Sequence, residues 1–332
     1  MSLRGVVRAC LAGPVRKALG SVLEMAGVCV LFRTGGSPGD LVCMNAAAGA
    51  IRRAHGLRVI VLTRRPELFR GHSAILWNIG LEGLPAFLAR RLPALLYRLR
   101  QDRLEVYGIQ PPEGVPLEQH VRDNLPCDHL TRLHAGHFAL RLPAGPLLPE
   151  IAFGTAEARR HAHWLERTGL RGPFALVHSE GKTSYTPNKD WGKGRFAEVV
   201  RLLPHIRFVQ IGGRDDAPIP GALDLRGATP SLRSLAWLVS RAAFVLCLEG
   251  LYNHLAAAFR TPAFVVCSGF AHPELAAYPT SVMLAAAQPP PCAPCWLRTP
   301  CPVPGKPCMS ELTPESVAAT IARRFPPPEG HA

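Results

Sequence analysis

The chain has 332 residues, 48% of them apolar, with a formal net charge of +14. That length suits two hydrophobic cores, and no uninterrupted apolar run reaches the ~18 residues of a membrane span. The charge sits on scattered arginines rather than in a nucleic-acid-binding module, so nucleic acid is not an expected partner.

Residues 1–25 set Arg4, Arg8, Arg16 and Lys17 among Val, Leu and Ala, the pattern of a basic amphipathic helix. It suits an anionic membrane surface, and equally a helix packed on the first domain. No secretory signal with a cleavage site is recognisable there, so the expected location is the cytoplasm, with peripheral contact to the inner face of the inner membrane. An apolar strand over 28–32 then runs into a Gly-rich loop that ends at Asp40. A helix over 41–54 and a second strand over 57–62 follow. This is the outline of a nucleotide-binding fold without the dinucleotide GxGxxG spacing.

Residues 64–103 mix arginine with Leu, Phe, Ile and Trp. The mixture suits an amphiphilic, negatively charged acceptor, or ordinary helices with solvated arginines. A short helix is expected over 117–124, and a Pro-rich crossing over 143–149 leads to a second domain. That domain opens with a helix over 155–168 and a strand over 174–178. The polar loop 179–191 carries Lys182, Thr183, Ser184, Thr186 and Lys189, a composition suited to an anion. Lys189 is placed to neutralise a diphosphate, with Trp191 anchoring the loop. Further on come a helix over 194–203, a strand over 207–211, the turn Gly212-Gly213, Asp224-Leu225-Arg226-Gly227 and a helix over 231–242.

Residues 244–269 read as strand, sharp turn, helix and strand. Gly250 lets the chain turn tightly into a helix whose free N–H groups suit a phosphate. Glu249 suits sugar or ribose hydroxyls. His254 is a donor to a phosphate oxygen or hydroxyl, or else a histidine packed beside the sheet. Cys292, Cys295, Cys301 and Cys308 follow as C-x2-C-x5-C-x6-C within 17 residues, among prolines. Four thiolates at that spacing suit a tetrahedral structural metal, zinc on chemical grounds; free or disulfide-linked cysteines are the alternative. A last helix begins at Thr313-Pro314 and runs to Arg324.

Taken together, Ser37-Pro38-Gly39-Asp40, Lys189-Asp190-Trp191 with Arg195-Phe196, Gly212-Gly213, Asp224 to Gly227, and Gly250 to His254 before Leu-Ala-Ala-Ala carry a resemblance. The chain resembles the heptosyltransferases of glycosyltransferase family 9, the ADP-heptose-dependent enzymes of lipopolysaccharide assembly, over most of residues 28–325. The resemblance implies an α/β fold of GT-B architecture, two Rossmann-like domains facing a central cleft. The expected division is 1–153 on the acceptor side, 154–312 binding the nucleotide sugar and including the Cys-rich segment 292–308, and 313–332 as a C-terminal helix and tail. In such folds the terminal helix packs back towards the first domain.

The implied activity is inverting transfer of a heptose-like sugar from a nucleotide-diphosphate donor such as ADP-heptose to a hydroxyl of a glycan or glycolipid, as in lipopolysaccharide core assembly. Asp40 would be the base. Lys189, Thr186, Gly212, Glu249, Gly250, Leu251 and His254 would bind the donor, with no cofactor needed for the chemistry. Where the family has Asp-Ser/Thr-Gly and a histidine three residues after the glycine, this chain has Glu249-Gly250 and His254 four residues after, as in a divergent Glu-Gly branch. The change bears on the donor sugar, because the replaced aspartate contacts donor hydroxyls in that family. The cysteine segment resembles the four-cysteine iron-holding finger of the autotransporter heptosyltransferases, which keeps iron beside zinc. The other class of function compatible with these residues is a non-catalytic nucleotide-sugar or glycan-binding protein on the same fold.

Overall fold

The computed structural model describes residues 27–33, 37–84, 146–181 and 185–328. They form two compact units that meet in sequence between Ala152 and Phe153. The basic N-terminal stretch, the helix expected over 117–124 and the loop residues Lys182, Thr183 and Ser184 lie outside the described residues.

Among the described residues the first unit holds three parallel strands in the order β1 (Val28–Arg33), β2 (Arg58–Thr63) and β3 (Ile75–Gly80). Helix α1 (Pro38–His55) links β1 to β2. Ser37 is extended and Pro38 takes the first helical position, where its missing N–H costs nothing. The helix therefore begins earlier than the apolar pattern suggests, and Asp40 sits in its first turn rather than in the preceding loop. Gly56 closes α1 in the left-handed conformation, φ 69°, donating its N–H to the Arg52 carbonyl at 2.9 Å. Every residue of 41–51 is buried, and the small alanines among them suit a helix enclosed on all sides. Buried Asn45 ties α1 down. Its amide donates to the carbonyls of Leu68 and Glu150 at 2.9 and 3.0 Å, and its Oδ1 accepts from the Glu150 N–H at 2.7 Å. The stretch 64–103 contains a strand, β3, where ordinary helices with solvated arginines are one expectation. Its run of apolar residues is short and only half-buried, so no alternation marks it as a strand.

The second unit begins with α2 (Thr155–Arg167) and carries a six-stranded parallel sheet. Its strands are β4 (Ala175–Val177), β5 (Phe208–Gln210), β6 (Leu223–Asp224), β7 (Val245–Leu248), β8 (Ala263–Val266) and β9 (Ser281–Leu284). The spatial order is β6-β5-β4-β7-β8-β9. The helices between strands are α3 (Lys193–Leu202) after β4, α4 (Leu232–Arg241) after β6 and α5 (Leu251–Phe259) after β7. The terminal helix, α6 (Pro314–Arg324), is capped by the Thr313 hydroxyl, which accepts from the Ser316 N–H at 3.2 Å. It packs on α3 inside the second unit: Val317, Ala318 and Ile321 share one core with Phe196, Val199 and Val200.

Strand order sets where a ligand can sit. From β4 the chain goes outward through β5 and β6, then returns to lay β7 on the other side of β4. The loops after β4 and β7 therefore diverge, and the crevice at the carboxyl ends of these two strands is the topological switch point, where open α/β sheets bind ligands.

Candidate functional site

Two loops meet at that switch point. After β7 the chain passes Glu249 and Gly250 and enters α5. Gly250 has φ 150° and ψ −147°, a conformation that side-chain-bearing residues rarely adopt, and a Cβ there would meet open space. Glycine is required by the turn rather than by crowding, and it leaves the first amides of α5 facing outward. After β4 come His178, Ser179 and the loop to Trp191. Ser179 is 2% exposed and its Oγ has no hydrogen-bond partner among the described residues.

Lys189 and Glu249 join the loops. The Lys189 ammonium lies 3.1 Å from Glu249 Oε2 and 4.9 Å from the centroid of Phe270. The Glu249 side chain is 5% exposed, and neither carboxylate oxygen makes an aligned hydrogen bond among the described residues. A carboxylate so enclosed, with one cation and the Cys267 thiol beside it, has unused acceptor capacity at the switch point. Cys267 is buried beside it, and burial first, then the Glu249 charge, push its thiol pKa well up.

A second set of groups borders the turn after β5. Gly212 has φ 144°, and a Cβ there would strike the Asp216 carboxylate and come within 3.1 Å of His178 Cδ2. Asp216 accepts the Gly213 N–H at 2.8 Å. The His178 ring packs on Tyr252 with centroids 4.1 Å apart, and its Nε2 is 3.7 Å from Asp216. Burial lowers the His178 pKa to about 4, so the ring is neutral at pH 7.

The residues singled out in the sequence are placed as follows. Glu249, Gly250, Leu251 and Lys189 gather at the switch point. Gly212 shapes the adjoining turn. Thr186 is buried, with its hydroxyl committed internally: it donates to the Leu297 carbonyl at 2.7 Å and accepts from the Asn188 N–H at 3.1 Å. His254 is also buried, on the inner face of α5, its Nδ1 paired with the Tyr278 hydroxyl at 2.8 Å. The histidine packed beside the sheet describes it better than a ligand donor. Asp40 is half-buried in the first unit, its carboxylate in the first turn of α1, where the helix dipole favours negative charge. Sequence reasoning overlooked Asn188, Phe270 and the His178–Tyr252–Asp216 group, because none of them falls in a spaced motif.

None of Cys292, Cys295, Cys301 and Cys308 is in a disulfide, and all four line one cavity of about 50 Å³. Burial and the three neighbouring cysteines hold the Cys295 thiol above its ordinary pKa. The donor chemistry fits a thiophilic metal. The placement is not a closed site, since among the described residues no three His, Cys, Asp or Glu side chains are grouped to hold an ion. Nor is any helix among them long and apolar enough to cross a membrane.

No family model matches the sequence, and no curated protein matches it. Solved structures do. A family 9 glycosyl transferase from Veillonella parvula is 13% identical over 89% of this chain and 96% of its own, with a TM-score of 0.61. ADP-heptose lipopolysaccharide heptosyltransferase II of E. coli is 17% identical over 89% of this chain and 98% of its own, with a TM-score of 0.59. The iron-containing dodecameric glycosyltransferase TibC of enterotoxigenic E. coli is 18% identical over 90% of this chain and 76% of its own, with a TM-score of 0.61. At such identities the likeness is one of fold, and it makes this an α/β chain of the GT-B class.

Proposed function

We propose that this chain is a family 9-type inverting glycosyltransferase that moves a heptose-like sugar from a nucleotide-diphosphate donor to a hydroxyl of a glycan or glycolipid, as in lipopolysaccharide core assembly. The observation that carries the reading is the Lys189–Glu249 contact at the switch point, beside the glycine-led start of α5, in a chain with the fold of ADP-heptose heptosyltransferases. In this reading Lys189 and the outward amides of α5 take the diphosphate, and Glu249 accepts hydroxyls of the sugar or ribose.

Asp40 removes the proton of the acceptor hydroxyl as its oxygen attacks the anomeric carbon. The bond from that carbon to the phosphate oxygen breaks, and the nucleoside diphosphate leaves with the electron pair. The sugar passes through an oxocarbenium-like state, so stabilising the departing diphosphate is the main electrostatic task. Lys189 and the helix start supply that positive potential with side-chain and backbone groups, so the proposed chemistry needs no cofactor. The proposed donor class supports a cytoplasmic reaction, with the glycan or glycolipid acceptor met at the inner face of the inner membrane.

We assign Cys292, Cys295, Cys301 and Cys308 to a structural zinc or iron, supported by four cysteines outside any disulfide that line one cavity. When bound, such an ion would hold the segment together rather than take part in sugar transfer. A second reading, a nucleotide-sugar-binding protein without turnover, draws on the same Lys189–Glu249 contact, since a lysine already neutralised is a weaker leaving-group clamp. Incubation with ADP-heptose and a truncated lipopolysaccharide acceptor separates the two. Release of ADP with extension of the acceptor supports the transferase, whereas a donor-induced rise in melting temperature without release supports the binding protein.

A further inference from the structure

We infer that the cysteine-rich segment 292–308 is the frame that positions Lys189, and that Asn188 is the positioning residue through which it acts; the inference rests on the diphosphate role proposed for Lys189. Asn188 is 4% exposed, and its amide donates to the carbonyls of Leu297 and Thr299, each at 2.8 Å. Thr186 Oγ1 donates to the same Leu297 carbonyl at 2.7 Å, and Lys306 Nζ donates to the Pro187 carbonyl at 3.1 Å. Three consecutive residues before Lys189 are thus each tied to the segment. Within the loop itself the Thr186 hydroxyl adds only the short turn that accepts the Asn188 N–H.

The same segment holds the other partner of the lysine. The N–H groups of Cys295 and Trp296 donate to the carbonyls of Gly269 and Phe270 at 2.9 and 3.0 Å, and the Trp296 ring meets Phe270 edge-on at 5.2 Å. Phe270 is the ring over which the Lys189 ammonium lies. Arg298 covers Tyr185 at 5.1 Å at the start of the described loop. The loop and the aromatic face of the lysine are therefore set by one stretch of chain about a hundred residues later in sequence. A lysine on a four-carbon stem gives a useful anion contact only if its backbone is fixed, because a displacement of about 1 Å in a positioning group is enough to lower function substantially.

A purely structural tie and a positioning tie differ in one respect. Loss of a structural tie lowers melting temperature and leaves diphosphate affinity per folded molecule unchanged. Loss of a positioning tie lowers affinity, and only while Lys189 is present. The test is calorimetric titration of ADP into the full chain as wild type, Asn188→Leu, Lys189→Ala and the double variant, with a melting scan on each. Asn188→Leu keeps the volume, adds no charge and removes the amide that donates to both carbonyls. It should weaken ADP binding about tenfold beside Lys189 and add nothing beside Ala, the non-additivity of residues acting as one unit. Should that variant fail to fold, Thr186→Val removes the hydroxyl tie to Leu297 with no change of charge and should show the same pattern to a smaller degree. An equal loss in both backgrounds, or no loss with Lys189 present, overturns the positioning role. ADP affinity untouched by Lys189→Ala itself overturns the diphosphate reading, and the inference with it.

Discussion

Replacing Glu249 by Gln keeps the side chain's size and removes its charge, which makes it the sharpest probe of the switch-point electrostatics. Lys189 and Glu249 are 3.1 Å apart, with side chains 25% and 5% exposed. A phosphate oxygen accepting from Lys189 at a charge-assisted length of about 2.8 Å would put its charge roughly 6 Å from the carboxylate. At an effective dielectric of about 20, two like charges at that separation repel by about 3 kcal/mol, reduced by the water that reaches the lysine. Glu249→Gln should therefore tighten binding of pyrophosphate by about 1 to 2 kcal/mol, roughly five- to thirtyfold. A nucleotide sugar should gain less than pyrophosphate, because Gln accepts hydroxyls less strongly than a carboxylate does. Native-state stability should fall by about 1 to 2 kcal/mol, well below the cost of breaking a fully buried pair, because Lys189 can rehydrate. The assay is calorimetry with pyrophosphate and with ADP-heptose on the same protein, alongside a denaturant midpoint. Pyrophosphate has no ribose for Glu249 to hold, so an unchanged or weaker pyrophosphate affinity in Glu249→Gln would refute the charge argument, the diphosphate then lying outside the reach of Glu249.

Asp40→Asn should leave donor affinity intact and lower turnover by roughly 10²-fold or more; equal turnover in the two proteins would remove Asp40 from the chemistry. Protein purified without chelator should carry about one zinc or iron per chain by elemental analysis, and Cys295→Ser should lose metal and melting temperature together. Metal-free protein with the same melting temperature as the metal-treated sample would end that assignment. His178 has a folded pKa of about 4 against an ordinary 6.5, so the unfolded chain binds the extra proton between those values. Its contribution to stability is complete above pH 6.5 and declines as pH falls towards 4, by up to about 3 kcal/mol. His178→Gln should flatten the midpoint-versus-pH curve in that window, and an unchanged slope would assign the acid loss to other groups.

What was legible in the sequence follows from how local each determinant is. The turn at Glu249-Gly250 and the loop bearing Lys189 stand out because a glycine at a strand-to-helix junction and a polar run after a strand are local patterns. Strand β3 did not stand out, since Ile75–Gly80 is short and only half-buried, so no clean alternation marks it. The fate of individual side chains was less legible still. Thr186 and His254 have the polar groups of ligand-binding residues, yet each hydrogen-bonds into the interior, to Leu297 and Tyr278. A sequence read without alignment specifies the donor and acceptor capacity of a residue, not the direction in which its side chain leaves the backbone.

Asn188 is inconspicuous in the sequence, whereas its neighbour Lys189 is not. A cation in a polar loop advertises an anion at any distance, whereas an amide acquires its role only from the two carbonyls that it meets, and here those come from Leu297 and Thr299. The cysteines between which these carbonyls lie are conspicuous, but for their thiols rather than for the backbone they bracket. If the thiols do close on a metal, the ion sets the conformation of the segment from 292 to 308, and with it the carbonyls that hold Asn188. A site read as architectural and a lysine read as a ligand contact are then parts of one mechanical unit. Chelation should consequently weaken ADP binding in the wild type and leave the already weakened Lys189→Ala variant unaffected, a difference that titration of metal-loaded and metal-stripped protein measures directly.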